Sequence, residues 1–493
     1  MQYVRTIEST NIKGPVQPIN ATTGRRQKGF RGKVPLRIAN AAGFLGDNLD
    51  APRRLVESTQ VDYLTLEHLA ELTLSILARL REKNPAEGYA ADFLEVLSSL
   101  ARPLARQPQL KIITNAGGMN PAACAKEGAK ILAAAGLGDL PLGVVTGDDL
   151  LPRLEELMAA GCEFKNLDTG EPLSALNAGG LKSAVISANA YLGARPIAEA
   201  LARGGRIIIT GRVADASLTL GPAIHEFGWK WDDWDKLAAA SVAGHLIECG
   251  AQVTGGYSVD WKNYDLVDVG YPIAELSEDG GTFITKPEKS GGSVNRRTVI
   301  EQLVYEIGDP RHYLTPDVDC DFTTVEVEEV GKDRVAVRGA TGRPATDTYK
   351  VSLAYRDGYM ASGQLLVYGQ DSVEKARACG EIILKKVEQA GFKLARTNIE
   401  LLGAGAGVPG AWFWRKYQPP GEVVLRVTAH DPRREAVERF SKEFAPLITS
   451  GPAGLAGYAS GRPQVRPVFA YWPTLVPKEL VVAKVEVRKA NEW

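Results

Sequence analysis

From residue 34 onward the chain repeats one arrangement: a short apolar, often β-branched run, a loop rich in glycine, alanine, asparagine and aspartate, then a longer helical stretch. The runs fall at Leu36–Ala39, Tyr63–Leu66, Leu110–Thr114, Leu142–Val145, Ala184–Ser187 and Ile207–Ile209. Short apolar runs alternating with helical lengths predict a parallel sheet covered by helices, a three-layer α/β domain. If all six strands run parallel, their following loops open on one edge of the sheet, where open α/β folds bind ligands. The clearest unit is the sixth. Ile207–Ile209 reads as a buried strand, Thr210-Gly211 breaks it, the loop presents Arg212 and Asp215, and an apolar helix resumes from Ser217.

The loops supply the candidate site. Asn40, Gly43 and Asp47 follow the first run, Glu67 the second, Asn115 and Gly117 the third, Thr146 and Asp148 the fourth, Asn189 the fifth, and Arg212 and Asp215 the sixth. Any one loop is equally a set of good turn formers, and Asp148 or Asp149 also suits a helix cap. The shared bias of all six is what points to binding. Farther on, Leu237–Gly250 reads as a helix that places His245 and Glu248 three residues apart on one face, as a base and its orienting partner or as a core contact. No H-E-x-x-H motif is present. Ser290 and Gly291 precede a helix reaching about Ile307, an arrangement that offers backbone amides to phosphate or carboxylate or simply caps the helix.

With 493 residues the chain exceeds one core, and the texture changes near Gly308–Val318, a segment with two prolines. The organisation expected is a basic arm at 1–34, the α/β domain at 35–318, an α+β extension at 319–400 and a ferredoxin-like C-terminal α+β domain at 401–493. A net charge of -1 gives no reason to expect nucleic acid, and no apolar run approaches the roughly 20 residues of a membrane span, so no membrane partner is expected. Five dispersed cysteines without a C-x-x-C pair, and no secretory leader, fit a cytoplasmic protein. Trp412, Phe413, Trp414 and Tyr417 predict a packing cluster or a homo-oligomer contact. Gly405–Gly410 fits G-x-G-x-x-G, but Pro409 and the aromatics after it oppose a dinucleotide site.

Several blocks together resemble a known family. Ile38-Ala-Asn-Ala-Ala-Gly-Phe-Leu-Gly-Asp47, Asn115-Ala-Gly-Gly-Met-Asn-Pro121, Thr210-Gly-Arg-Val-Ala-Asp215, Gly244-His-Leu-Ile-Glu-Cys-Gly250 with Thr254-Gly-Gly256, and Gly308-Asp-Pro310 through Pro316-Asp-Val318 look like the acyclic terpene utilisation (AtuA) family. The resemblance covers roughly residues 36 to 400, and the tail resembles the ferredoxin-fold domain that accompanies the family. It implies a role in catabolism of branched isoprenoid acids through acyl-CoA esters, with a lyase step on a 3-hydroxy-3-alkylglutaryl-type thioester. It carries over no catalytic residue.

Chemistry assigns the roles instead. A retro-aldol lyase removes a proton from a tertiary hydroxyl and stabilises a thioester enolate. Glu67, Asp215 or His245, with Glu248 as partner, are the acid–base candidates. Arg212 and the amides at Gly43 or Gly117 would hold the carboxylate or oxyanion. Lyases of this kind commonly hold a divalent metal partly through an H-x-H pair, absent here; Asp148, Asp149 and Asp215 are the oxygen donors left for Mg²⁺, and otherwise no cofactor is expected. A hydratase needs much the same groups without metal. Cys249 beside His245 is a further nucleophile candidate. The remaining alternative is a non-catalytic subunit binding acyl-CoA or carboxylate within a larger assembly.

Overall fold

The computed structural model describes residues 34–176, 184–407, 420–457 and 461–493; the basic arm and the aromatics at 412–417 lie outside the described residues. In chain order the strands are β1 (Leu36–Asn40), β2 (Tyr63–Leu66), β3 (Lys111–Thr114), β4 (Pro141–Thr146), β5 (Val185–Ala190), β6 (Ile207–Thr210), β7 (Ile273–Leu276), β8 (Thr282–Thr285), β9 (Tyr313–Leu314), β10 (Asp319–Asp321), β11 (Glu326–Gly331), β12 (Arg334–Arg338), β13 (Thr341–Arg343), β14 (Thr348–Tyr368), β15 (Arg396–Leu402), β16 (Glu422–Asp431), β17 (Leu455–Gly457), β18 (Arg466–Pro477) and β19 (Lys484–Lys489). The protein is mixed α/β, and its largest sheet runs β11-β12-β8-β7-β1-β2-β3-β6-β4-β19.

The middle of that sheet is parallel: β1 pairs with β2, β2 with β3, and β6 lies between β3 and β4. These strands are mostly apolar because both faces are covered. Alternate residues feed two cores. Ile38, Tyr63, Ile113 and Ile208 pack with the helices Arg195–Ala202, Ser217–Phe227 and Trp234–Glu248. Leu64, Ile112, Ile207 and Ile209 pack with Ala51–Ser58, Asp92–Arg106 and Pro121–Ala134 on the other face. At roughly 1.5–3 kcal/mol per fully buried Ile or Leu, this double burial holds the strand ends, and so the loops after them, in fixed positions.

Three sequence expectations are corrected here. The fifth run is not part of the parallel sheet: β5 pairs antiparallel with β14 of a second sheet. The place beside β3 goes to β6 and the far side of β4 to β19, so no edge remains for it. Apolar periodicity reports that a strand is buried, not which strand it joins. The boundary near 318 is also crossed. The hairpin β11–β12 extends the first sheet through β8, and β19 closes its other edge. The second sheet runs β15-β16-β14-β17, with β18 and β5 also on β14, and thus draws on 185–190 and 348–477, so it is not confined to 401–493. Finally, the two strands expected near Tyr349–Tyr355 and Gly363–Tyr368 are one strand, β14, bent at a bulge between Arg356 and Tyr359.

Candidate active site

The ends of β2, β6 and the second sheet enclose a cavity of about 410 Å³ whose lining includes Glu71, Tyr191, Arg212, Asp215, His245, Glu248, Tyr313 and Lys350. Arg212 anchors it. Gly211 lets the chain turn tightly against the Asp148 carboxylate, which accepts the Arg212 backbone amide at 2.8 Å and the Asn189 side-chain amide at 2.8 Å. The Arg212 side chain is 2% exposed. Its Nη1 donates to the Leu69 carbonyl at 2.5 Å, lies 2.9 Å from Asp215 Oδ1 and 3.7 Å from Glu67 Oε1, and the guanidinium stacks 4.1 Å from the Tyr191 ring.

Two carboxylates therefore share one buried cation. Burial pushes Asp215 up to about 7, against the pull of Arg212 and with help from the Glu248 and Glu71 charges. Burial and then the Asp215 charge raise Glu67 well above the carboxylate range, although Asn115 and the Leu69 amide donate to its Oε1. Glu67 lies behind Arg212, whereas a third of the Asp215 side chain is open to the cavity. Asp215 is thus the member of the pair that can meet a ligand.

His245 takes a different part from the base expected. Its Nε2 faces the Gln302 carbonyl at 2.9 Å and its Nδ1 faces Glu248 Oε1 at 3.1 Å. A carbonyl only accepts, so Nε2 carries hydrogen, and the Nδ1–Glu248 contact holds one further proton. Burial lowers the imidazole pKa, but the Glu248 and Gln302 contacts outweigh it and the net shift is upward. With both nitrogens occupied, His245 orients Glu248, whose side chain is on the lining.

Most other candidates are fastenings. Asn40 Nδ2 donates to the Ala42, Ile247 and Glu248 carbonyls, tying β1 to the last turn of the Trp234–Glu248 helix. Asp47 accepts from the Gly43 amide at 2.8 Å and the Tyr271 hydroxyl at 2.6 Å, which removes Gly43 as an oxyanion donor. A Cβ at Gly43 would meet the Cys249 carbonyl carbon at 2.8 Å, and one at Gly117 the Thr210 oxygen at 2.5 Å, so both positions serve close backbone approach. Thr146 pairs with Lys484 in the sheet. Asn189 and Asp148 are buried and bind each other, and neither is on the cavity lining. Ser290 lines a different recess and Gly291 follows it; the Gly291 amide goes to the Asp268 carbonyl, and the helix that follows, Arg296–Leu303, is capped by Asn295. The Mg²⁺ donors are separated in the same way: Asp148 serves the Arg212 amide, Asp149 pairs with Arg81 at 2.9 Å, and Asp215 holds Arg212. Among the described residues no group of three His, Cys, Asp or Glu side chains is placed to hold a metal ion. Cys249 is no nucleophile, since burial pushes its thiol up to about 12.

A family model described as acyclic terpene utilisation family protein AtuA matches residues 36–487. The chain belongs to the AtuA family. No curated protein and no solved structure matches it. The family's name connects the chain with acyclic terpene utilisation, and no helix among the described residues is long and apolar enough to cross a membrane.

In this AtuA-family chain the cavity residues not singled out from sequence include Glu71, Tyr313, Lys350 and Glu306. Tyr313 comes from the two-proline segment read as a boundary, and Lys350 from a strand of the second sheet, so neither carries a local signal. A larger recess of about 520 Å³ sits among the strand starts at Leu36, Tyr63, Lys111 and Arg206. Its Tyr63, Lys111 and Glu226 bind one another, and its Asp62 accepts the Arg37 amide.

Proposed function

We propose that the Asp215 cavity is the active site of an acid–base enzyme in the breakdown of branched isoprenoid acids, acting on a carboxylate or acyl-CoA substrate as a C–C lyase or a hydratase. The observation that carries this is Asp215 itself: a carboxylate fixed on a buried arginine, open to the cavity and raised to about 7, where a group both takes and gives a proton near neutral pH. The volume of about 410 Å³ falls in the ordinary range for small-molecule sites, and the exposed leucines Leu167, Leu314 and Leu475 on the same lining suit an aliphatic branch.

In the lyase direction Asp215 takes the proton of the tertiary hydroxyl as its C–O becomes a carbonyl and the C–C bond breaks. The released electron pair passes into the thioester enolate, which is protonated by the acid held between Glu248 and His245. In the hydratase direction the same two groups move the proton and water across a double bond. Asp215, raised by burial, and the hydrogen-bonded His245–Glu248 pair are the two groups offered for that requirement. For the second sheet, the β-α-β-β-α-β order from β14 to β17 and the strand order β15-β16-β14-β17 support a ferredoxin-like reading that begins within β14.

The test is turnover of branched 3-hydroxyacyl-CoA and enoyl-CoA thioesters by wild type, Asp215→Asn and Glu248→Gln, each checked for folding by circular dichroism. Loss of about 10²-fold or more in both folded variants supports the reading. Turnover that survives in both rejects it, and binding without turnover in wild type favours a non-catalytic binding subunit.

A further inference from the structure

We propose that Lys350 binds an anionic oxygen group of the ligand, with Glu71 as its built-in competitor. This rests on the reading of the Asp215 cavity as the substrate site. It concerns what the cavity recognises and not the proton chemistry.

The cationic side chains on the lining are Arg212, His245 and Lys350. Arg212 was the expected anion holder, but its side chain is only 2% exposed and its Nη1 already serves Asp215 and the Leu69 carbonyl. Both nitrogens of His245 are held by chain acceptors. Lys350 is different. It lies on β14 two residues from Thr348, so both point to the same face of the strand, and both line the cavity. Its Nζ is 3.4 Å from Glu71 Oε1, and the two side chains are 42% and 48% exposed. An ion pair that long and that open to water is worth little and exchanges readily for a better partner.

The surroundings hold the ammonium in place without using up its donors. It sits 4.9 Å from the Tyr191 ring centre, and the Tyr191 hydroxyl donates to the same Glu71 oxygen at 3.3 Å. An ammonium has three donors, and Glu71 takes one. Burial raises the pKa of the nearby Tyr471 hydroxyl, and the Lys350 charge and a Lys350 side-chain contact oppose it, so Tyr471 can take a second of the three donors. Against this, Glu71, Asp215, Glu248 and Glu306 put four acids on the lining. An anionic ligand in such a cavity needs a cation with donors to spare. Among the described lining residues Lys350 supplies one.

The measurement is calorimetric titration of the full chain with two probes, 3-hydroxy-3-methylglutarate and its CoA thioester. Lys350→Met is expected to weaken binding about 10- to 100-fold and Lys350→Arg to restore it to within about threefold. Glu71→Gln is expected to tighten binding several-fold, because it removes the competitor; a purely structural role for the pair predicts no gain. A loss confined to the thioester assigns the anionic group to the CoA phosphates, and a loss shared by the free acid assigns it to the acid's own carboxylate. Unchanged affinity in Lys350→Met, or weaker binding in Glu71→Gln, overturns the proposal. Ala214→Trp and Thr315→Trp, which place an indole in the cavity from two sides, separate it from the cavity reading. Loss in these with none in Lys350→Met rejects Lys350 alone, and full binding in them rejects the cavity as the site. No binding of either probe to wild type at millimolar concentration rejects both.

Discussion

Replacing Asp215 with Asn tests whether Asp215 and Glu67 act as one titrating unit around Arg212. Stripping a buried cation of its only counter-charge typically costs about 3–5 kcal/mol. Here the guanidinium has a second carboxylate, Glu67, 3.7 Å from Nη1, and the Asp215 charge is one of the causes that hold Glu67 above the carboxylate range. Removing Asp215 takes that cause away and leaves Glu67 as the counter-charge. The single variant should therefore cost only about 1–2 kcal/mol, and Glu67→Gln about 1 kcal/mol, because each leaves one anion for Arg212. With both replaced, no carboxylate remains on that nitrogen, and the full cost of about 3–5 kcal/mol, or failure to fold, is expected. Urea denaturation at pH 7.5 followed by circular dichroism gives the three values, and the coupling between the sites should exceed about 1 kcal/mol. Effects that add within about 0.5 kcal/mol would show that the two carboxylates do not share Arg212, and the two-acid description of the site would be wrong.

The folded-state pKa of Asp215 is raised from 3.8 to about 7, so protonation favours the native state. This contribution is fully present below about 4 and lost as pH rises toward 7; wild-type stability should fall across that window, and the slope should shrink in Asp215→Asn, as read from melting temperatures at successive pH values. Asn40→Ala leaves the Ile247 and Glu248 carbonyls without their donor and should cost about 2–3 kcal/mol in chemical denaturation. Cys249→Ser should retain activity on whichever thioester wild type turns over, and alkylation of wild type at pH 8 should leave Cys249 unlabelled, since its thiol lies at about 12.

The parts legible in the sequence are those set by short-range pattern. Ile207–Thr210 is apolar along its length because it is buried on both faces, and the loop after it carries Arg212 and Asp215, which meet at 2.9 Å. His245 and Glu248, three residues apart on a helix, do touch. What the pattern could not show was the partner. Asn40 looks like a ligand-binding residue in its glycine-rich loop, but its amide is matched to carbonyls some 207 residues away. The amides around Gly291 look free in a Ser-Gly-Gly-Ser loop, yet Asp265 and Asp268 carbonyls take them. Lys350 has no distinguishing neighbour in sequence, and only the pairing of β14 with β5 brings its strand to the cavity.

The pairing of β4 with β19 joins Thr146 to Lys484. On the ribosome, β4 emerges more than three hundred residues before the strand that closes its side, and at about 5–20 residues per second that interval lasts tens of seconds. Through that time a buried, apolar strand has one row of amides and carbonyls unpaired. The first sheet is thus exposed to wrong pairing while the second is still being made, so chaperone demand should depend more on the speed of translation across 147–483 than on any property of the finished fold.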